Sequence, residues 1–323
     1  MKKIFALLAA LLLAFCTVGM TACGSGKIQI AVLQYAEHGS LDNCYRGVQE
    51  GLAARGYDES NVQYTFYNAK SRDADNTTYA QTLINSMPAV AVGIATPSAY
   101  ALANAARGEV PVVFTAVSDP TAEGANFQNF RNVTGSSDKL PVENQIDLIK
   151  AFLNKGEETV KIGIVYTLTE ANSVSNIAEF EALEEEKNVE IVTQGVNRDV
   201  DITAAVDALI AEGVDCLNNL TDNTVVQNLS VLLDKAESAS IPVFGSEIEQ
   251  VEKGCLASCS LDYVELGRKT GDMIADILEG KSADGIPYLY LTDGYTVDYN
   301  SDVLSALELT LPAAYADAND VKA

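Results

Sequence analysis

The chain has no tryptophan and a single histidine, His38, among 323 residues. With one imidazole, a histidine-rich metal centre is excluded, and any Ser–His or Cys–His relay would have to run through His38. Basic residues are also scarce: 21 Lys and Arg stand against 45 Asp and Glu, a formal net charge of −24. Nucleic-acid binders need a basic footprint, so that class is excluded. No G-x-G-x-x-G or G-x-x-x-x-G-K-[ST] loop is present for a nucleotide, and no G-x-S-x-G elbow for an acyl enzyme. Six cysteines occur without C-x-x-C spacing, so neither a zinc site nor any other metal is expected. Neither a catalytic set nor a cofactor is expected, and an enzyme is the minor reading.

The one long apolar run, Ile4 to Phe15, follows Lys2 and Lys3 and precedes Met20-Thr21-Ala22-Cys23. A basic start, a short apolar core and small residues at the end form an export signal, too short for a membrane span. It resembles a bacterial lipoprotein signal, which implies cleavage after residue 22 and lipid on Cys23. Gly24-Ser25-Gly26 is then a tether. Loss of 1–22 removes two Lys and no acid, taking the charge from −24 to −26. The lipid is the expected membrane contact, on the outer face of the cytoplasmic membrane. Cys44, Cys216, Cys255 and Cys259 remain; the last two, roughly 13 Å apart along a strand, cannot bridge each other, and buried free thiols are expected.

About 300 mature residues exceed one ordinary core and predict two lobes. Short β-branched runs alternate with helical spacing throughout, the pattern of parallel sheets with right-handed crossovers. Strands are expected at Ile28–Leu33, Asn61–Tyr67, Ala89–Ile94 and from Pro111, then at Lys161–Tyr166, Val189–Thr193, Val214–Asn218 and Ile241–Phe244. Helices are expected at Leu41–Arg55, Asp73–Ser86, Thr96–Arg107, Pro141–Leu153, Asn172–Glu186, Asp201–Glu212, Asp222–Ala239 and Tyr263–Leu278. Leu256–Ser260 is expected to return to the first lobe. Lobe 1 is thus 28–136 plus 259–288 and lobe 2 is 137–258 plus 289–323, with crossings near 133–140, 258–262 and 287–296.

Ligands of open α/β sheets lie beyond the carboxyl ends of the strands. There Thr96, Ser98, Thr115 and Ser118 offer hydroxyls and helix-start N–H groups to a carboxylate. Thr96 also suits the N-cap before Pro97, and Ser118 and Asp119 suit a turn before Pro120. Asp222, at a strand-to-helix turn of the second round, is the leading acidic candidate for the crevice, although an N-cap explains it equally; Glu37, Asp42 and Glu247 are the runners-up. Tyr35 and Tyr166 end the first strand of each lobe. His38 is placed at the pocket mouth, and Asn172, Ser173 and Asn223 at helix starts facing it.

These strand ends recur in order as Gln34-Tyr35-Ala36-Glu37-His38 with Leu41-Asp42, Ala95-Thr96-Pro97-Ser98-Ala99, Phe114 to Pro120, Val133-Thr134-Gly135, Glu170-Ala171-Asn172-Ser173, Thr221-Asp222-Asn223-Thr224 and Leu266-Gly267. The set resembles the ABC-transporter substrate-binding proteins of the TrpX-like group. Gly39 departs from the Pro common there, and Asn218-Asn219-Leu220 from an aromatic and a Pro. The resemblance implies the periplasmic-binding-protein type I fold: two doubly wound α/β lobes joined by a three-strand hinge. It also implies a monomeric receptor that hands an aromatic amino acid to a membrane permease with its ATPase; for such a ligand Asp222 is the expected partner of the ammonium and Tyr35 and Tyr166 the expected stacking walls, and Gln34, Asp42 and Ala116 join the site. A branched-chain amino acid, or service to a membrane signalling partner, are the alternatives.

Overall fold

The computed structural model describes residues 26–291 and 294–322; the export signal and Cys23 lie outside them. Three apolar strands are buried along their whole length or nearly so, because helices cover both faces of the sheet they form. They are β1 (Ile28–Gln34), β3 (Val90–Ile94) and β4 (Val112–Thr115). With β2 (Val62–Asn68), β5 (Val133–Ser137) and β11 (Leu289–Tyr290) they make an all-parallel sheet in the order β11-β5-β4-β3-β1-β2. The helices between them are α1 (Gly39–Ala54), α2 (Asp73–Asn85) and α3 (Thr96–Ala106).

Lobe 2 repeats the plan. It begins with α4 (Val142–Leu153), β6 (Val160–Thr167), α5 (Ala171–Ala182), α6 (Glu184–Lys187), β7 (Val189–Val196) and α7 (Ile202–Ala211). Then come β8 (Cys216–Asn218), α8 (Asn223–Gln227), α9 (Leu229–Ser238), β9 (Val243–Phe244) and α10 (Ile248–Glu252). Its parallel sheet runs β7-β6-β8-β9. Two expected long helices are each broken in two, at Leu183 and at Asn228, whose φ of −108° and ψ of 18° leave the helical basin.

The strand β10 (Ala257–Ser260) corrects one expectation. It stays with lobe 2, pairing antiparallel with β12 (Thr296–Tyr299), while Leu256 N donates to Val243 O and Gly245 N to Ala257 O. The reason lies in the side chains: Leu256, Ala257 and Cys259 pack with Ile162, Phe152 and Phe244 in the core of lobe 2. The return to lobe 1 comes at 261–262, just before α11 (Tyr263–Leu278), which lies on α1. β11 likewise pairs with β5 of lobe 1, so the third crossing follows it. The chain closes with α12 (Ser301–Ala306) and β13 (Asn319–Asp320) in lobe 2. All four described cysteines are buried free thiols, and burial raises the pKa of each.

Candidate functional site

The carboxyl ends of β3 and β4 carry two alanines in the left-handed region, Ala95 (φ 76°) and Ala116 (φ 54°). Non-glycine residues adopt this region at a cost of order 1–3 kcal/mol, and such strain clusters at ligand sites. Both alanines line a small void of about 10 Å³ between the lobes, room for about one water, together with His38, Leu41, Thr96, Ser118 and Asp138 from the lobe 1 side and its hinge. Lobe 2 closes it with Asn172, Thr221, Asn223 and Glu247. The lobes touch around it: Ser118 Oγ lies 3.4 Å from Thr221 Oγ1, and Glu249 of α10 accepts from Ser40 and Asn43 of α1. A larger depression between α2 and α3, which also reaches Thr169 and Ala171 of lobe 2, is open to solvent, and the unpartnered Thr96 hydroxyl belongs to its lining too.

Four buried polar atoms without a hydrogen-bond partner belong to residues lining the void: His38 Nδ1, Thr96 Oγ1, Asp138 Oδ1 and Asn172 Oδ1. An unpaired buried polar atom costs about 1–3 kcal/mol, so four around one void call for a polar occupant. Asp138 Oδ2 is engaged, accepting from Tyr263 Oη at 2.9 Å. Glu247 Oε2 accepts from Gln250 Nε2 at 2.9 Å. Burial pushes the Asp138 carboxyl above the usual carboxylate range, and burial together with Glu249 pushes Glu247 up to about 8. Two acids so placed gain from a cation between them. Burial also lowers the His38 ring to about 4, so it is neutral at physiological pH.

Of the residues expected in the site, His38, Thr96, Ala116, Ser118, Asn172 and Asn223 line the void. Thr96 does not cap its helix: the N-cap is Ala95, and the threonine hydroxyl is left free. The remaining residues support the site from outside. Ser98 Oγ turns to Asn76 Oδ1 (2.7 Å), and Thr115 Oγ1 is engaged with Cys44 and Ser136. Gln34 donates to Asp42 Oδ1 (2.8 Å) and Ala36 O, fastening the end of β1. Asp119 holds the Thr121 N–H and hydroxyl in a turn.

Asp222 is the main correction. Its oxygens accept from Thr167 N, Thr167 Oγ1, Ser173 Oγ and Val225 N, so the carboxylate caps α8 and is fully engaged away from the void; Ser173 is engaged with it. The expected aromatic walls are displaced as well. Tyr35 lies in the core of lobe 1 with its hydroxyl on Asp73 (2.8 Å), and Tyr166 packs in lobe 2 beside Gly195. Glu37 is half-exposed beside Lys70. Sequence reasoning passed over Leu41, Ala95, Asp138 and Thr221, although Asp138 directly follows β5 and strand ends were the places to search. Among the described residues no group of three or more His, Cys, Asp or Glu is arranged to hold a metal ion.

A family model described as ABC transporter substrate binding protein matches residues 29–318. A tyrosine-binding protein of Clostridioides difficile (strain R20291) is 32% identical over 284 residues, covering 87% of this chain and 81% of that protein. The structure of an ABC domain from Streptococcus pneumoniae in complex with L-Trp is 31% identical, with a TM-score of 0.85, over 91% of this chain and 99% of that one. A ligand-free, open structure of a substrate binding protein with adhesive properties from Clostridium difficile is 29% identical, with a TM-score of 0.68, over 91% and 98%. The lobes described here are thus arranged more as in the L-Trp complex than as in the open structure.

Proposed function

The chain belongs to the ABC transporter substrate-binding proteins, and from that premise we propose that it is an extracytoplasmic receptor closing its two lobes on an amino acid with an aromatic side chain. The observation that carries this reading is an interlobe void, closed down to about 10 Å³, with four buried, unpartnered polar atoms around it. An α-amino acid supplies what they need. Its ammonium fits between Asp138, Asn172 and Glu247, replacing repulsion between desolvated acids with charge-assisted hydrogen bonds. Its carboxylate fits Thr96, Ser118 and the first N–H groups of α3, whose dipole favours an anion. The aromatic preference is supported by the L-Trp complex and the tyrosine-binding relative.

A branched aliphatic amino acid is the second reading, favoured by a lining whose apolar members are Leu41, Ala95 and Ala116 with no aromatic ring. Binding without turnover, delivery to a permease and ATPase, cleavage after residue 22 and lipid on Cys23 are parts of the same proposal. For the anchor, Cys23→Ser is expected to release the protein from the membrane fraction.

The deciding experiment is a thermal-shift panel of the twenty amino acids on protein refolded free of carried ligand. At a hundredfold excess over Kd a true ligand adds about 2.7 kcal/mol of stability. Shifts confined to Trp, Phe or Tyr are expected. Shifts with Leu, Ile or Val alone select the second reading, and no shift at all overturns both.

A further inference from the structure

Two amides in the pocket wall share one anchor. Glu170, 2% exposed, stands behind the lobe 2 wall of the void and is not among the residues lining it. Its Oε2 accepts from Asn223 N (3.0 Å), Asn223 Nδ2 (2.7 Å) and Asn172 Nδ2 (3.4 Å), while Oε1 accepts from Thr224 N and Thr224 Oγ1. Asn172 Nδ2 also donates to Thr221 O at 3.1 Å.

An ionised carboxylate only accepts, so each asparagine must turn its NH₂ toward it and its oxygen away. For Asn172 this leaves Oδ1 without a partner, beside the void. Asn223 gives Glu170 both its backbone N–H and its Nδ2, so its Oδ1 is likewise turned away from the carboxylate. His38 lines the same void with Nδ1 unpartnered. One carboxylate thereby orients two amide acceptors.

We propose that Glu170 is a positioning residue that sets the hydrogen-bond polarity of the pocket wall, leaving the side-chain oxygens of Asn172 and Asn223 to act as acceptors and so selecting ligands that carry an amino group. The inference rests on the reading of the interlobe void as an amino-acid site. Burial and the neighbouring Asp222 raise the Glu170 carboxyl to about 7, partly offset by the bonds from Asn223 and Thr224.

The test compares L-tryptophan with indole-3-propionate, and L-phenylalanine with 3-phenylpropionate, by calorimetry. Wild type is expected to prefer each amino acid over its desamino analogue by at least about a hundredfold. Glu170→Met removes the acceptor at similar volume, and the preference is expected to fall at least about tenfold. Glu170→Gln retains one oxygen for the asparagines and is expected to restore the preference. An unchanged preference in Glu170→Met overturns the proposal while leaving the pocket reading intact; wild type that binds no amino acid overturns both.

Should Glu170→Met not fold, Asn172→Leu decides. It removes the acceptor that Glu170 orients at similar volume, and the preference for each amino acid over its desamino analogue is expected to fall at least about tenfold. An unchanged preference overturns the proposal.

Discussion

Gly39 and Glu249 meet across the mouth of the cleft so closely that a methyl group on Gly39 would lie 2.8 Å from Glu249 Cγ. Gly39 opens α1 of lobe 1, and Glu249 on α10 of lobe 2 holds Ser40 and Asn43 from the same helix start. This contact exists only while the lobes are closed. Gly39→Ala is therefore expected to weaken ligand affinity roughly tenfold, about 1.4 kcal/mol, by opposing closure. Thermal stability without ligand is expected to change little. Equal losses in both measurements would show that the residue serves the fold of lobe 1 instead.

Asp138 and Asp222 separate binding from stability. Asp138→Asn removes the charge expected to face the ligand ammonium and should raise Kd at least about a hundredfold, near 3 kcal/mol. Asp222→Ala strips Thr167, Ser173 and the start of α8 of their acceptor, and should cost about 1–3 kcal/mol in urea unfolding. Calorimetry and denaturation on both variants give the comparison. The opposite pattern would return the ammonium to Asp222.

Closure without ligand is expected to weaken as pH rises. Glu247 ordinarily titrates near 4.5, and burial with Glu249 and Asp138 nearby raises it to about 8 in the closed form, partly offset by bonds from Gln250 and Ser40. An acid whose pKa rises on closing takes up a proton, so the closed form is favoured below the ordinary value and loses ground up to about pH 8. The slope is at most about 1.4 kcal/mol per pH unit for this group. Small-angle scattering at pH 5 and pH 9 should show a more open molecule at the higher pH, and a saturating amino acid should abolish the difference. A ligand-free protein that closes further at pH 9 would contradict the sign.

The crossing of α1 and α11 is the tightest packing in lobe 1. A Cβ on Gly267 would fall 2.2 Å from Cys44 O, and one on Gly47 would fall 2.1 Å from Val264 O. Backbone lies against backbone there, so no side chain can move aside. Gly267→Ala is expected to cost about 2–3 kcal/mol of stability, read by chemical denaturation. A loss under 0.5 kcal/mol would mean that the helices separate freely.

Much of this was legible in the chain itself. The alternation of β-branched runs with helical spacing determined two parallel α/β sheets, because a strand buried on both faces must be apolar throughout and a helix only on one side. The rule that ligands lie beyond strand ends singled out His38, Thr96, Ser118, Asn172 and Asn223 in the sequence, and the family resemblance added Ala116. Only the tertiary structure decided which polar groups are left free. Thr96 and Ser98 stand two residues apart at one helix start, yet Ser98 finds Asn76 and Thr96 finds nothing. Asp222 and Asp138 both follow strands, yet four donors from its own lobe satisfy Asp222, while Asp138 keeps one bare oxygen. Spacing along a chain fixes where a carboxylate sits on its element. Whether it is available to a ligand depends on donors distant in sequence, Thr167 for Asp222 and Tyr263 for Asp138, and those meet it only once the lobes have packed.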